Sequence, residues 1–316
     1  MKRGALFLVP LIVLACSPAS DREGRPTSDE LIIYEAASLT GPMRAAIDTF
    51  ARRTGTHVLE EHGASLELAR RVTELQRIPD VLALADHELF RELLIPSAAS
   101  WYAIFARNRM VVAYTPRSRH ATSVNADNWR SVLLRPEVLV GRADPVLAPA
   151  GYRALLMFQL AERFYHDPGL AARLEARTLS RLLRGNATEL AALHSAGELD
   201  YIIEYESVAR TQHLQFVRLP AAIDLGDPAL ASTYATASVR VGPAATGTTR
   251  YGAPILYGVT VPRGGRNAAA GIRFLAFLLG ADGQAILRHG LVDMLDQPVL
   301  FGDSVPAELR GVHGSR

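Results

Sequence analysis

The chain contains almost no cysteine or lysine. Cys16 is the single cysteine and Lys2 the single lysine among 316 residues. One cysteine cannot form a disulfide within the chain or supply a cysteine-based metal site. Schiff-base chemistry and the P-loop both require a lysine. Because Lys2 falls in a segment that we interpret below as a signal peptide, both chemistries are excluded for the mature chain.

An excess of basic charge is also lacking. The chain has 34 basic and 32 acidic residues. Removal of residues 1–15 would take away Lys2 and Arg3 and leave a mature chain that is formally neutral. A nucleic-acid-binding protein shows a basic stripe, so we expect no nucleic-acid partner.

The N-terminus has the pattern of a lipoprotein signal peptide. Lys2 and Arg3 precede an apolar stretch from Ala5 to Leu14, which is too short to span a bilayer. Small and apolar residues then precede Cys16, as at a lipoprotein cleavage site. We predict a signal peptide over 1–15, lipidation of Cys16 and a flexible tether over 16–30. The mature protein would be extracytoplasmic, anchored by lipid to a membrane in the periplasm or at the cell surface.

Strand and helix patterns alternate along the rest of the chain. Strands are predicted at 31–34, 57–61 and 80–85, with helices at 42–53 and from Ser65 between them. This order is a βαβαβ unit with a parallel sheet. Further strands are predicted at 103–114 (interrupted by a turn), 139–141, 200–205, 235–241 and 255–261, and further helices at 152–164, 170–184, 187–195 and 271–279. We therefore predict an α/β protein with one lobe formed by 31–107 and 256–316, a second by 108–255, and a ligand cleft between them.

The tripeptide Ala-Ser-Leu occurs twice where a strand gives way to a helix. Ser38 follows the first strand and Ser65 follows the second. The first N–H groups of a helix have no internal partner and the helix dipole is positive there. Each serine alone is also a good helix cap. Two such strand-to-helix junctions after successive strands nevertheless indicate an anion-binding cleft.

Several motifs in this order resemble the tungstate/molybdate-binding proteins of ABC importers, in particular their archaeal-type branch. The resemblance runs from about residue 31 to about residue 290. The segments that carry it are Ala36-Ala37-Ser38-Leu39-Thr40, Ala64-Ser65-Leu66, Ile78-Pro79-Asp80-Val81, Ala85-Asp86, Gly141-Arg142-Ala143-Asp144-Pro145, Ala148-Pro149-Ala150-Gly151-Tyr152-Arg153, Asp200-Tyr201-Ile202-Ile203-Glu204-Tyr205-Glu206-Ser207-Val208-Ala209 and Tyr257-Gly258-Val259-Thr260-Val261-Pro262.

The resemblance implies a type II periplasmic-binding-protein fold, in which each lobe is a mostly parallel sheet flanked by helices. It implies that Ser38, Ser65 and Tyr152 donate to the oxoanion, Tyr152 through its hydroxyl or its backbone. Asp144 and Glu204 would coordinate the molybdenum or tungsten centre itself. Molybdate or tungstate would be the transported ligand, with no cofactor, and the partners would be an ABC permease and, through the lipid, a membrane. A monomer is expected.

Two carboxylates facing an anion would ordinarily repel it. They become useful when the central atom is a large metal that accepts further oxygen ligands, which sulfur and phosphorus do not. The chain departs from the family pattern at Glu35 and Ala37, where histidine and glycine are expected. A carboxylate at Glu35 should point away from the ligand or pair with an arginine.

Two alternatives remain open from the sequence. One is a binding protein for another oxoanion, such as sulfate or phosphate. The other is a hydrolase in which Asp144 and Glu204 act as an acid/base pair or hold a divalent metal. The chain has no Gly-x-Ser-x-Gly motif and no His-x-x-x-His pair. We therefore predict a binding protein rather than an enzyme.

Overall fold

The computed structural model describes residues 30–290 and 293–311. The predicted signal peptide, Cys16 and all but the last residue of the tether lie outside these residues. None of the helices in the described part of the chain is by itself long and apolar enough to cross a membrane. Two consecutive helices, Ala268–Leu279 and Ala281–His289, meet that test only together, and they are bent by 66° at their junction.

Strands and helices alternate over most of the chain. The strands are β1 (Glu30–Ala36), β2 (His57–Gly63), β3 (Val81–Leu84), β4 (Trp101–Asn108), β5 (Met110–Tyr114), β6 (Val140–Ala143), β7 (Leu183–Arg184), β8 (Tyr201–Tyr205), β9 (Gln215–Arg218), β10 (Ser238–Val241), β11 (Thr248–Tyr251), β12 (Ile255–Thr260) and β13 (Asp293–Gly302). The helices are α1 (Thr40–Thr54), α2 (Ser65–Thr73), α3 (Trp129–Leu133), α4 (Pro149–Phe164), α5 (Leu170–Arg177), α6 (Ala187–Ser195), α7 (Glu206–Thr211), α8 (Ala221–Asp224), α9 (Ala231–Tyr234), α10 (Ala268–Leu279), α11 (Ala281–Gly290) and α12 (Ala307–Arg310).

The strands form two main sheets and a hairpin. The larger sheet has the order β13-β4-β12-β3-β1-β2, the smaller β7-β6-β8-β5-β9, and β10 pairs with β11. The larger sheet draws its strands from both ends of the described chain, whereas the smaller draws them from the middle. Apolar side chains of both sheets and their helices contribute to one extended core.

The sheets are mixed, so the expectation of mostly parallel sheets needs correction. Parallel pairing joins β2, β1 and β3 in the larger sheet and β7, β6 and β8 in the smaller. The other neighbours in both sheets are antiparallel. Successive strands β4 and β5 are separated by a single residue and join different sheets. Parallel neighbours need a longer crossover connection, so parallel pairing is confined to strands joined through helices.

The first helix illustrates why the periodicity of the sequence was informative. Met43, Ile47 and Phe50 lie on one buried face of α1. Phe50 contacts Phe274 of α10 edge to face, with ring centroids 5.2 Å apart. Gly55 ends the helix with a φ of 75°, which glycine adopts without steric cost.

Two predicted elements were too long. The stretch 170–184 is an α-helix only as far as Arg177. The hydroxyl of Thr178 then donates to the carbonyl of Glu175 and accepts from Nε of Arg142, at 2.8 and 3.0 Å, and the chain continues through a 3₁₀ turn into β7. The predicted strand at 235–241 begins only at Ser238, because α9 and the turn after it occupy the preceding residues.

Candidate functional site

A small cavity lies between the two sheets, at the ends of β1, β2, β3 and β8. It encloses about 20 Å³, and one water needs roughly 10–15 Å³ of such space. Only a small ligand fits. Most of the lining consists of small side chains: Ala36, Ala37, Ser38, Gly63, Ala64, Ser65, Ala85, Ala148, Pro149, Ala150, Asn186, Ala187 and Tyr205.

Three helices of at least two turns begin at this cavity. Ala64 and Ser65 are at the start of α2, Ala148 to Ala150 at the start of α4, and Asn186 and Ala187 at the start of α6. The first N–H groups of each helix lack an intrahelical acceptor, and the helix dipole is positive at this end. The lining includes no Arg, Asp, Glu or His side chain. The cavity can therefore hold an anion with backbone donors rather than cationic side chains.

Ser65 contributes a hydroxyl that is not used as a helix cap. It is 1% exposed, and its oxygen accepts the backbone N–H of Ala85 at 3.0 Å. The N-cap of α2 is Ala64, and no side chain caps this helix. Because the hydroxyl oxygen is held as an acceptor, its proton can point to a ligand in the cavity.

Ser38 lies in a 3₁₀ turn, Ala37–Leu39, between β1 and α1 rather than in the first turn of α1. Tyr257 donates its hydroxyl proton to Oγ of Ser38 at 3.3 Å and itself accepts from Nδ2 of Asn108 at 2.5 Å. Because Oγ of Ser38 accepts this hydrogen bond, the hydroxyl proton of Ser38 is also free for a ligand. The structure thus brings both predicted serines to one cavity.

Glu204 lies beside the cavity, directly before Tyr205 on β8. Its side chain is fully buried. One oxygen accepts the N–H of Tyr205 at 2.8 Å, whereas Oε2 has no hydrogen-bond donor among the residues that the structure describes. Burial raises the pKa of Glu204 from its usual 4.5 to about 7. A buried oxygen without a donor is a costly feature, as expected of a group kept for a ligand.

Asp144 follows β6 and forms the turn that leads into α4. Its Oδ1 accepts the N–H of Val146 at 2.8 Å, and its backbone carbonyl accepts the N–H of Ala148 at 2.9 Å. The side chain is half-buried and does not line the cavity. Neither predicted carboxylate lines the cavity, so their coordination of a ligand stays a prediction.

Tyr152 has its hydroxyl committed to a neighbour. The group donates to Oδ2 of Asp86, so any donation by Tyr152 to a ligand would come from its backbone. Burial alone would raise the pKa of Asp86, but the charge of Arg153 and the bond from Tyr152 hold that pKa below its usual value.

Arg153 joins the two sides of the cavity and was missed by sequence reasoning. From α4 it donates to the carbonyl of Ala85 and to the hydroxyl of Tyr205, both at 2.7 Å, and it pairs with Asp86 at 3.2 Å. Asp86 follows β3 of the larger sheet, whereas α4 packs on β6 of the smaller. Both residues stood in the matched motifs, but their pairing across 67 positions had no local signal. Asn186 and Ala148 to Ala150 were also missed, because nothing in the sequence around them shows that α4 and α6 begin at this cavity.

Glu35 does not face the cavity as an unpaired charge. It is fully buried, and its Oε1 lies 3.0 Å from Nδ1 of His62 on the neighbouring strand. The expectation of a partner was therefore met by a histidine rather than an arginine.

Comparison with known proteins shows the family to which the chain belongs. The family described as "Bacterial extracellular solute-binding protein" matches residues 31–290. An uncharacterized solute-binding protein of Petrotoga mobilis is 37% identical over 85% of each chain. The molybdate/tungstate-binding protein WtpA of Pyrococcus abyssi is 32% identical over 98% of this chain and 96% of its own.

Solved structures show the same fold. The periplasmic molybdate-binding protein of Azotobacter vinelandii has a TM-score of 0.57 at 15% identity, over 82% of this chain and 97% of its own. The sulfate-binding protein SubI of Mycobacterium tuberculosis has a TM-score of 0.58 at 15% identity, over 83% and 85%. The predicted periplasmic-binding-protein fold and the resemblance seen in the motifs are confirmed. The chain belongs to the family of bacterial extracellular solute-binding proteins.

Proposed function

We propose that the protein captures molybdate or tungstate outside the cytoplasm and delivers it to an ABC permease. The observation that carries the proposal is the convergence of three helix N-termini and two serine hydroxyls on a cavity of about 20 Å³. Serine hydroxyls and helix N-termini are donors that suit a small oxoanion. The name of the Pyrococcus relative supports the choice of ligand.

Glu204 supports molybdate or tungstate over sulfate or phosphate. A buried carboxylate beside an anion site repels a tetrahedral anion that cannot use it. Molybdenum and tungsten accept additional oxygen ligands, so the free Oε2 of Glu204 would become one ligand, and Asp144 would supply the second. Ser38, Ser65 and the backbone N–H of Tyr152 would donate to the oxoanion.

Capture would occur by closure of two lobes, residues 31–107 with 256–316 and residues 108–255. The donors of α2 belong to the first lobe, and those of α4 and α6 to the second. We further propose that the mature protein is a monomer held at the membrane by a lipid on Cys16, with molybdate or tungstate as its ligand and without catalytic activity.

The experiment is calorimetric titration of the purified protein with molybdate, tungstate, sulfate and phosphate. Tight binding of the first two alone is the expected result. Glu204→Gln and Asp144→Asn should lose tight binding, whereas Glu198→Gln, at an exposed position just before β8, should retain it. Tight binding of sulfate, or unchanged molybdate affinity in Glu204→Gln, would refute the assignment.

A sulfate- or phosphate-binding protein is the second candidate, because the serine hydroxyls and helix N-termini at the cavity suit any small oxoanion. The same titration separates the two. No specific observation among the described residues favours a hydrolytic role for Asp144 and Glu204.

A further inference from the structure

Three ionisable side chains of the adjoining strands β1 and β2 converge on one point outside the oxoanion cavity. Glu35, Glu60 and His62 each offer one ligand atom, and these atoms lie within 4.8 Å of one another. In the parallel register Glu35 is opposite His62, and Ile33 is opposite Glu60. Side chains alternate along a strand, so Glu60 and His62, two residues apart, project from the same face as Glu35.

Glu35 has fewer partners than a buried carboxylate needs. It is fully buried, and its Oε2 accepts no hydrogen bond from the residues that the structure describes. His62 is at ion-pair distance, with Nδ1 3.0 Å from Oε1, which leaves Oε2 without a partner. Oε2 of Glu60 is likewise buried without a hydrogen bond, and Nε of Arg44 lies 3.5 Å from it. Buried carboxylate oxygens are ordinarily hydrogen-bonded or bound to a metal.

We propose that Glu35, Glu60 and His62 form a binding site for a divalent cation of the zinc type. Two carboxylates and one imidazole are a nitrogen and oxygen donor set that suits Zn²⁺. The two negative charges balance the charge of the ion, and the free oxygen of Glu35 gains the partner that it lacks. The side chain of Arg44 is 54% exposed and can turn to solvent when the cation binds.

The position of this cluster connects it with the cavity without making it part of the oxoanion site. Glu35 directly precedes Ala36, and His62 directly precedes Gly63, and both of these neighbours line the cavity. A cation held by β1 and β2 would fix the ends of the two strands that lead to Ser38 and Ser65. The cation site is independent of which anion the cavity binds.

Neither motif search nor residue spacing would have found this site. The two ligands on β2 are separated by one residue, and the third comes from the neighbouring strand, 25 positions earlier. Strand pairing creates the cluster.

The test is a calorimetric titration of the metal-stripped protein with ZnCl₂, in the absence of any oxoanion. We expect one Zn²⁺ per chain, displaced by a chelator and not by Mg²⁺, which prefers an all-oxygen octahedral site. Glu35→Gln and His62→Gln should each weaken Zn²⁺ binding by about tenfold or more. The matched controls on the same strand are Glu61→Gln and His57→Gln, whose side chains lie outside the cluster, and they should bind Zn²⁺ as the unchanged protein does.

Absence of Zn²⁺ binding, or affinity unchanged in both Glu35→Gln and His62→Gln, would overturn the proposal. An equal loss in His57→Gln would do so as well, because it would place the ion elsewhere. Circular dichroism checks that the variants fold. If Glu35→Gln does not, His62→Gln decides alone, since that side chain is 31% exposed. A separate molybdate titration distinguishes failure of this site from failure of the proposed function.

Discussion

Replacing Glu204 by glutamine should change how the stability of the ligand-free protein depends on pH. Burial raises the pKa of this carboxyl from 4.5 to about 7. At 1.36 kcal/mol per pKa unit, that difference corresponds to about 3 kcal/mol. The folded state holds the proton more tightly than the unfolded chain does. The stability that the group contributes is therefore fully present below pH 4.5 and is lost as the pH rises through 7.

Glutamine has no proton to lose, so the variant lacks this contribution to the pH dependence. Its amide would place two donors where Oε2 of Glu204 has no partner, and this cost of about 1–3 kcal/mol is the same at every pH. The informative quantity is therefore a double difference. The free energy of unfolding of the variant minus that of the unchanged protein should rise by about 3 kcal/mol between pH 4.5 and pH 8.5.

The assay is urea unfolding of the ligand-free protein at both pH values. Glu198→Gln serves as the control, because the side chain at this position is exposed and should show no such rise. A double difference near zero for Glu204→Gln would mean that the carboxyl is not destabilised by burial. In that case the argument that Glu204 is held ready for a ligand fails, whatever the titration with molybdate shows.

Three further predictions concern close packing and buried charges in the fold. Gly151→Ala should weaken molybdate binding in calorimetry and destabilise the fold by about 1–3 kcal/mol. The reason is that the added Cβ would lie 2.5 Å from the carbonyl oxygen of the last residue of β6. The control Gly311→Ala, with open space around the added Cβ, should neither weaken binding nor destabilise the fold. Asp86→Asn should lower the free energy of unfolding, measured in urea, by about 3 kcal/mol, because it leaves the buried charge of Arg153 without its carboxylate partner. An unchanged midpoint of urea unfolding would contradict this prediction. Burial raises the pKa of Asp224 to about 6, so its contribution to stability is lost as the pH rises through 6. Asp224→Asn should therefore gain about 2 kcal/mol relative to the unchanged protein between pH 4 and pH 8, and parallel stability curves for the two would refute the shift.

The order of strands and helices in the first third of the chain could be predicted from the sequence because local patterns determine it. Short continuous apolar runs mark β1 and β3, and the buried stripe of α1 repeats at the helical period. The predicted boundaries are wrong where residues distant in the sequence determine where a helix or strand ends. The helix expected over 170–184 ends early because Arg142 holds Thr178 and because β7 finds a neighbour in β6. Neither interaction can be read from the stretch itself.

Local and long-range interactions differ in the same way at the site. The positions of Ser38 and Ser65 at the cavity could be predicted because each serine lies in a local pattern, a strand followed by a helix. The contributions of Asn186 and Ala148 could not, because a helix N-terminus becomes an anion site only when the fold directs it toward a cavity. The Arg153–Asp86 pair depends on two sheets meeting and also has no local pattern.

The division of donors between the two sheets bears on how a bound anion could be released. The N–H groups of α2 and the hydroxyl of Ser65 belong to the larger sheet, whereas the starts of α4 and α6 belong to the smaller. The cavity lining contains no arginine that could follow the anion on a long side chain, and backbone donors move only with their helices. Separation of the sheets therefore removes the donors of one side together. In the proposed cycle, an anion held strongly in the closed form would lose much of its binding energy as soon as a permease opened the cleft, without any change in the charge of the protein.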